Sequence, residues 1–272
     1  MKIAMMSYTM ARGEWGQTAD VAALCRLTRE LGLDGIDWVT TYGHAPEEVR
    51  RTMEDFGLQT VCYTFFASLQ SPDESERRTA LDEVKAGLDA AAALGADKVM
   101  LPLSGRPDVP REETRRHALP GLAAAVETAA PLGITVTVEH FPGATSPFLN
   151  SADVEDAVQA VPGLKFTFDN GNILTGGEDP ADSFRASAAH IVHAHFKDFE
   201  LSEEGFLGLD GRHYRGALIG EGLVDPWPCL QAMHECGYAG YIDFEYEGAV
   251  YSPEEAMRRG VPRLQEMLDR LD

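Results

Sequence analysis

Residues 134–140 read ITVTVEH, 164–170 LKFTFDN, 191–198 IVHAHFKD and 241–247 YIDFEYE. In an extended strand, residues two apart share a face and neighbours point to opposite faces. Counting back from Glu139, one face carries Thr137 and Thr135 and the other Ile134, Val136 and Val138. Asp169 falls with Thr167 and Lys165, against Phe166 and Phe168. His195 falls with His193 and Lys197, against Val192, Ala194 and Phe196. Glu245 falls with Asp243, against Ile242 and Phe244. Four separate strands therefore end in a potential metal ligand on the polar face, with an apolar face behind it. The repetition points to one shared site.

The segments around these strands alternate with helices. Helical spacing predicts helices near 18–31, 46–56, 75–94, 112–131, 151–160, 180–189, 226–236 and 253–270. Thr18 and Ser151 are N-cap candidates, and Pro46, Pro180, Pro226 and Pro253 stand near helix starts, where a missing N–H costs nothing. Pro120 predicts a kink or split in the fourth helix. The helix exits share a glycine: Leu31-Gly32, Phe56-Gly57, Leu94-Gly95, Leu132-Gly133 and Cys236-Gly237, each followed by a short β-rich run. With the opening KIAMMSY this gives eight strands and eight helices. Alternation implies parallel pairing, and eight of each over 272 residues close most simply into one (β/α)8 TIM barrel domain spanning 1–272. A doubly wound sheet is the alternative, but no GxGxxG or Walker loop supports its nucleotide-binding form.

Composition bounds the partners. A net charge of −21 argues against nucleic acid and anionic membranes, which demand a basic footprint. No run of about 18 apolar residues could span a membrane, and the opening MKIAMMSYTM is too short and too quickly polar for a signal peptide. Four scattered cysteines without CxxC spacing read as reduced packing residues of a cytoplasmic protein. A homo-oligomer is compatible with the chain, which carries no signal for or against one.

In a barrel, active sites lie at the C-terminal ends of the strands. Glu139, Asp169, His195 and Glu245 would then surround one mouth on strands five to eight. Three carboxylates and one imidazole suit a divalent cation with mostly oxygen ligands: Mn²⁺ first, then Mg²⁺, Co²⁺ or Zn²⁺. The competing reading is buried ion pairing with lysines such as Lys165 and Lys197. It accounts poorly for four matched positions, since burying several acids together is costly without a counterion.

The segments VTVEHF, FTFDNGN, HAHFKD and DFEYEG, in this order, together with LGLDGIDW on the second strand, resemble the sugar phosphate isomerase/epimerase superfamily of xylose isomerase-like barrels. The resemblance implies that Glu139, Asp169, His195 and Glu245 are the metal ligands and that Glu139 and Glu245 are the acid/base pair. It also implies a small sugar-like substrate, isomerised or epimerised through an enediolate. A lyase on the same scaffold, dehydrating a keto acid or eliminating an aglycone from a 3-keto-glycoside, is the second reading. A phosphodiester-cleaving relative would want more histidine ligands and a basic face.

The chain departs from the ketose 3-epimerase pattern at three places. Asn172 stands where those enzymes carry a histidine, Thr145 where they carry a second glutamate, and Arg212 and Arg215 lie in a longer GLDGRHYRGALIGEG insertion. Further substrate-binding candidates are His193 and Lys197 on the His195 face, and His140 at a strand end. Trp15 with Tyr8, and Tyr63 with Phe65, could supply an apolar wall.

Overall fold

The computed structural model describes residues 1–271. Eight parallel strands form a closed barrel in sequence order, the first pairing with the last: Lys2–Met6, Gly35–Val39, Gln59–Thr64, Lys98–Leu101, Thr135–Glu139, Lys165–Asp169, Ile191–Phe196 and Tyr241–Phe244. Residues 1–271 thus fold as one TIM barrel.

The parity read from the sequence is the parity of the barrel. Val136, Val138, Phe166, Phe168, Ala194, Phe196, Ile242 and Phe244 are buried on the side that meets the helices. The helix Pro253–Asp269 approaches the last strand through Gly260, where a Cβ would lie 2.1 Å from Phe244 Cε2. The inward face of strands five to eight is polar. Thr137 Oγ1 lies 2.8 Å from Thr167 Oγ1 and donates to the Val99 carbonyl at 2.9 Å. Barrel interiors are usually filled by bulky apolar side chains, so this polar lining marks the interior as more than packing.

Local signals acted largely as expected. The prolines at 46, 180, 226 and 253 each occupy the first turn of a helix. The five helix-exit glycines all take left-handed backbone, with φ between 65° and 78°. Three expectations are corrected. Thr18 closes a short helix, Trp15–Thr18, and the cap of Val21–Glu30 is Asp20, whose carboxylate accepts from Ala23 N at 3.0 Å. Asn150, not Ser151, caps Ser151–Ala160 in a reciprocal capping box with Asp153, while Ser151 Oγ donates to Glu178 at 2.7 Å. The helix Arg111–Ala129 runs through Pro120 unsplit. Pro120 is exposed, so the carbonyl freed one turn earlier faces water.

Beyond eight strands, the segment after the seventh folds into a small antiparallel sheet of Asp198–Ser202, His213–Ala217 and Phe206–Leu207, in that order. Its base is held by Asp198, whose carboxylate accepts from the amides of Gly220, Gly222 and Val224 at 2.8–3.0 Å. This sheet carries Phe206 to the barrel mouth. No helix among the described residues is long and apolar enough to cross a membrane.

Candidate metal centre and substrate pocket

Strand register brings the ligand candidates together. Asp169 and Asp243 each pair with His195 across neighbouring strands, and Glu139 pairs with Thr167. One ligand atom from each of Glu139, Asp169, His195 and Glu245 lies within 4.8 Å of the others, and all four residues are buried. Atoms sharing a cation at about 2.1 Å stand at most about 4.2 Å apart, so only a small contraction separates this cluster from a coordination sphere.

The orientation of each ligand is set by its neighbours. Asp169 Oδ1 accepts from the amides of Gly171 at 2.9 Å and Asn172 at 2.7 Å, which leaves Oδ2 facing the Lys197 ammonium at 3.2 Å. Glu245 Oε2 is likewise buried against that ammonium, at 2.9 Å. His195 Nδ1 lies 2.8 Å from Glu139 Oε1 and 3.7 Å from Glu245 Oε2. On the other side of the ring, Nε2 lies 3.4 Å from Asp37 Oδ2. With a cation bound, the carboxylate behind the imidazole would hold the proton on Nε2 and turn Nδ1, here 2.8 Å from Glu139 Oε1, towards the ion, the usual arrangement behind a metal-bound histidine. Three buried acids around one imidazole, with a single ammonium beside them, fit a divalent cation with oxygen and nitrogen ligands.

Lys197 sits against this set. Its Nζ is 2.9 Å from Glu245 Oε2, 3.2 Å from Asp169 Oδ2 and 3.5 Å from Glu247 Oε2. Gly171 makes room for it, since a Cβ there would stand 2.4 Å from Lys197 Cγ. Burial opposes its charge, but the surrounding carboxylates outweigh burial and hold the ammonium well above its usual range.

The two flanking glutamates are pushed apart. Burial raises Glu245 to about 7, against the opposing pull of Lys197. Burial acts on Glu139 too, yet the hydrogen bond and charge of His195, with Lys197, prevail and hold it below the usual carboxylate range. Asp169, buried and facing Glu139 and Glu245, is raised well above that range.

Beneath the ligand set lies a second layer. His193 Nε2 is 2.6 Å from Asp243 Oδ2 and 3.0 Å from Asp37 Oδ2, with all three side chains fully buried. Burial disfavours the imidazolium, but the two carboxylates overcome it and raise His193.

Above the set opens a cavity of about 260 Å³. The structure brings Glu139, Glu245, Lys197, Asn172 and Tyr8 to its wall. Asn172 is fully buried, and neither its amide oxygen nor its nitrogen has a partner. The other sequence candidates lie elsewhere. His193 is in the layer below. His140 points out of the barrel between Phe166 and Phe168, with ring centroids at 5.5 and 5.6 Å. Tyr63 also faces outward and packs on Phe65 at 5.9 Å, because Thr64, its neighbour in the strand, takes the pocket side. Trp15 packs on Tyr42 at 5.1 Å and donates its indole N–H to the Asp20 carbonyl at 2.8 Å. Arg215 is exposed and pairs with Glu200 at 2.8 Å. Arg212 pairs with Asp210. Glu247, which sequence reasoning passed over, lines the cavity; its spacing of two from Glu245 was the available signal.

A parallel barrel with a metal-fitting mouth site is a class with many members, and comparison with known proteins names the family. Residues 25–267 match the family model of the xylose isomerase-like TIM barrel, and the chain belongs to that family. An inosose dehydratase of Lacticaseibacillus casei is 30% identical over 91 residues, covering 31% of this chain and 30% of that protein. The L-ribulose-5-phosphate 3-epimerase UlaE of Shigella boydii is 27% identical over 180 residues, covering 63% of this chain and 57% of its own. The matches therefore span well under two thirds of these curated relatives. Among solved structures, the IOLI protein with a bound zinc atom superposes with TM-score 0.82 at 18% identity, covering 100% of this chain and 99% of that one. A D-psicose 3-epimerase superposes with TM-score 0.78 at 16% identity, covering 98% and 99%. At these identities the structural likeness shows the fold.

Proposed function

We propose that the protein is a divalent-metal-dependent isomerase or epimerase of a sugar-like or cyclitol ketone, with Glu139, Asp169, His195 and Glu245 holding the cation, Mn²⁺ first among the candidates. The observation that carries this reading is the buried cluster of three carboxylates around His195, offset only by the one ammonium of Lys197. When bound, such a cation acidifies the C–H beside a carbonyl and offsets the charge of the enediolate.

The chain's own groups move the proton. Glu139 and Glu245 flank His195, whose Nδ1 lies 2.8 Å from Glu139 Oε1 and 3.7 Å from Glu245 Oε2. Glu139, held low, is ionised and takes the proton from carbon; Glu245, raised to about 7, can carry the proton that is returned. The proton count closes without an oxidant or reductant. Asn172, buried with both amide atoms free, is placed to hold a substrate oxygen. Lys197, hydrogen-bonded through its backbone N–H to Asn170 at 2.8 Å, is fixed beside the reacting end. Four free cysteines accord with a cytoplasmic setting.

A lyase using the same proton abstraction is the second reading. It is supported by the similarity to an inosose dehydratase and by Asn172 and Thr145 standing where 3-epimerases carry hydroxyl-gripping groups. One experiment decides. Mn²⁺-loaded protein is incubated in D₂O with ketoses, inososes and keto-glycosides, and products are followed by NMR. Deuterium gained at one carbon with an unchanged formula supports the isomerase. Loss of water or aglycone supports the lyase. No exchange in any substrate, with turnover surviving Glu139→Gln and Glu245→Gln, overturns both.

A further inference from the structure

The cavity over the ligand set is two-sided. Its far wall is made by Met6, Val39, Met100 and Pro102, from the ends of the first, second and fourth strands. Its rim carries three phenyl rings, Phe66, Phe141 and Phe206. Phe66 is 59% exposed, although large apolar side chains are mostly buried in this chain. A single exposed ring needs no explanation, but three converging on one opening make an apolar collar.

Charge sharpens the contrast. Four carboxylates, those of Glu139, Asp169, Glu245 and Glu247, meet one ammonium, that of Lys197. With a divalent cation held and all four carboxylates ionised, the balance is one negative charge. Among the described residues no arginine lines the cavity. Arg12 donates to the Tyr246 carbonyl at 3.1 Å, and Arg215 is spent on Glu200. A phosphate would enter a negative site with no free cation to receive it, and like-charge juxtaposition costs several kcal/mol.

We infer that the non-reacting part of the substrate is uncharged and apolar, a flat hydrocarbon substituent lying against the Phe66–Phe206 collar, and that a phosphate at that position is rejected. This rests on the proposed reading of the ligand set as the grip for a hydroxy-ketone. The cavity's 260 Å³ is below the ~300–1,000 Å³ of sites that enclose drug-sized ligands. The hydroxy-ketone therefore fills the floor, and the substituent reaches the mouth.

The test uses three probes on the Mn²⁺-loaded full chain, with dissociation constants from calorimetry: dihydroxyacetone, dihydroxyacetone phosphate and 1-hydroxy-3-phenoxypropan-2-one. The phenyl ether is expected to bind about tenfold more tightly than dihydroxyacetone, equivalent to about 1.4 kcal/mol, and the phosphate more weakly than dihydroxyacetone. In Phe66→Ser and Phe206→Ser the ratio between phenyl ether and dihydroxyacetone is expected to fall towards one. A phosphate that binds most tightly, or a phenyl ether with no advantage, overturns the inference. A phenyl advantage that survives both substitutions overturns the placement on the collar. If Mn²⁺ binds but none of the three probes does, the hydroxy-ketone reading fails and the inference falls with it.

Discussion

The two halves of the barrel do different work at the same mouth. Strands five to eight end in Glu139, Asp169, His195 and, just beyond the eighth, Glu245, with Lys197 and Glu247 close by. Strands one to four bring Met6, Val39, Thr64 and Met100 to the cavity, a mostly apolar surface. One half concentrates charge in a dry place, where each interaction is strong and each unmatched group is costly. The other half excludes water and shapes the opening. The exception is Asp37 on the second strand, which crosses the interior to reach His193 and His195. It ties the apolar half to the ligand set from below.

This division can be broken experimentally. The largest effect is expected in the charged half: Glu139→Gln or Glu245→Gln should lower turnover by about 10²–10⁴-fold, the usual contribution of a positioned acid or base, as read by initial rates on whichever substrate exchanges deuterium. Next comes the layer beneath. His193→Leu removes the imidazole between Asp37 and Asp243 and should cost about 3–5 kcal/mol in urea unfolding, because two buried acids lose their partner. In the apolar half, Met100→Ala should cost about 2–5 kcal/mol through the cavity it leaves while Mn²⁺ still binds one to one. A lost Mn²⁺ site in that variant would contradict the division.

The smallest effect concerns His140, which points outwards from the charged half. Burial pushes its imidazole from 6.5 down to about 4, against the weaker upward pull of Glu139 and Glu178. The unfolded chain therefore binds a proton between these values when the folded protein does not, and stability rises with pH there. This contribution, roughly 3 kcal/mol, is fully present above pH 6.5 and is lost as pH falls through about 4. His140→Phe should flatten the fall in urea midpoint between pH 6.5 and pH 4; an unchanged slope would show that His140 does not titrate this way.

Much of the barrel and its mouth was legible because both rest on period-two alternation and helix-exit glycines, which are local signals. Alternation also carried information that the list of candidates did not respect. His140 and Tyr63 stand one residue from pocket-lining positions, so strand geometry turns them to the helix side. Glu247 repeats the spacing of Glu245 and was readable on the same ground. The small sheet after the seventh strand was not, because its register depends on contacts such as those of Asp198 with amides 22–26 residues away. Without that sheet neither the exposed position of Arg215 nor the arrival of Phe206 at the mouth could be foreseen. Trp15 was equally hidden, since its place against Tyr42 and Trp38 is set by the first two strands meeting.

The central claim is that four strand-end side chains hold one divalent cation. Calorimetric titration of metal-free protein with Mn²⁺ tests it most directly, on the native chain and on Asp169→Asn. The native protein is expected to bind one equivalent and Asp169→Asn to bind none at the same concentration. A native protein that takes up no metal, or a variant that binds as the native chain does, would contradict the account.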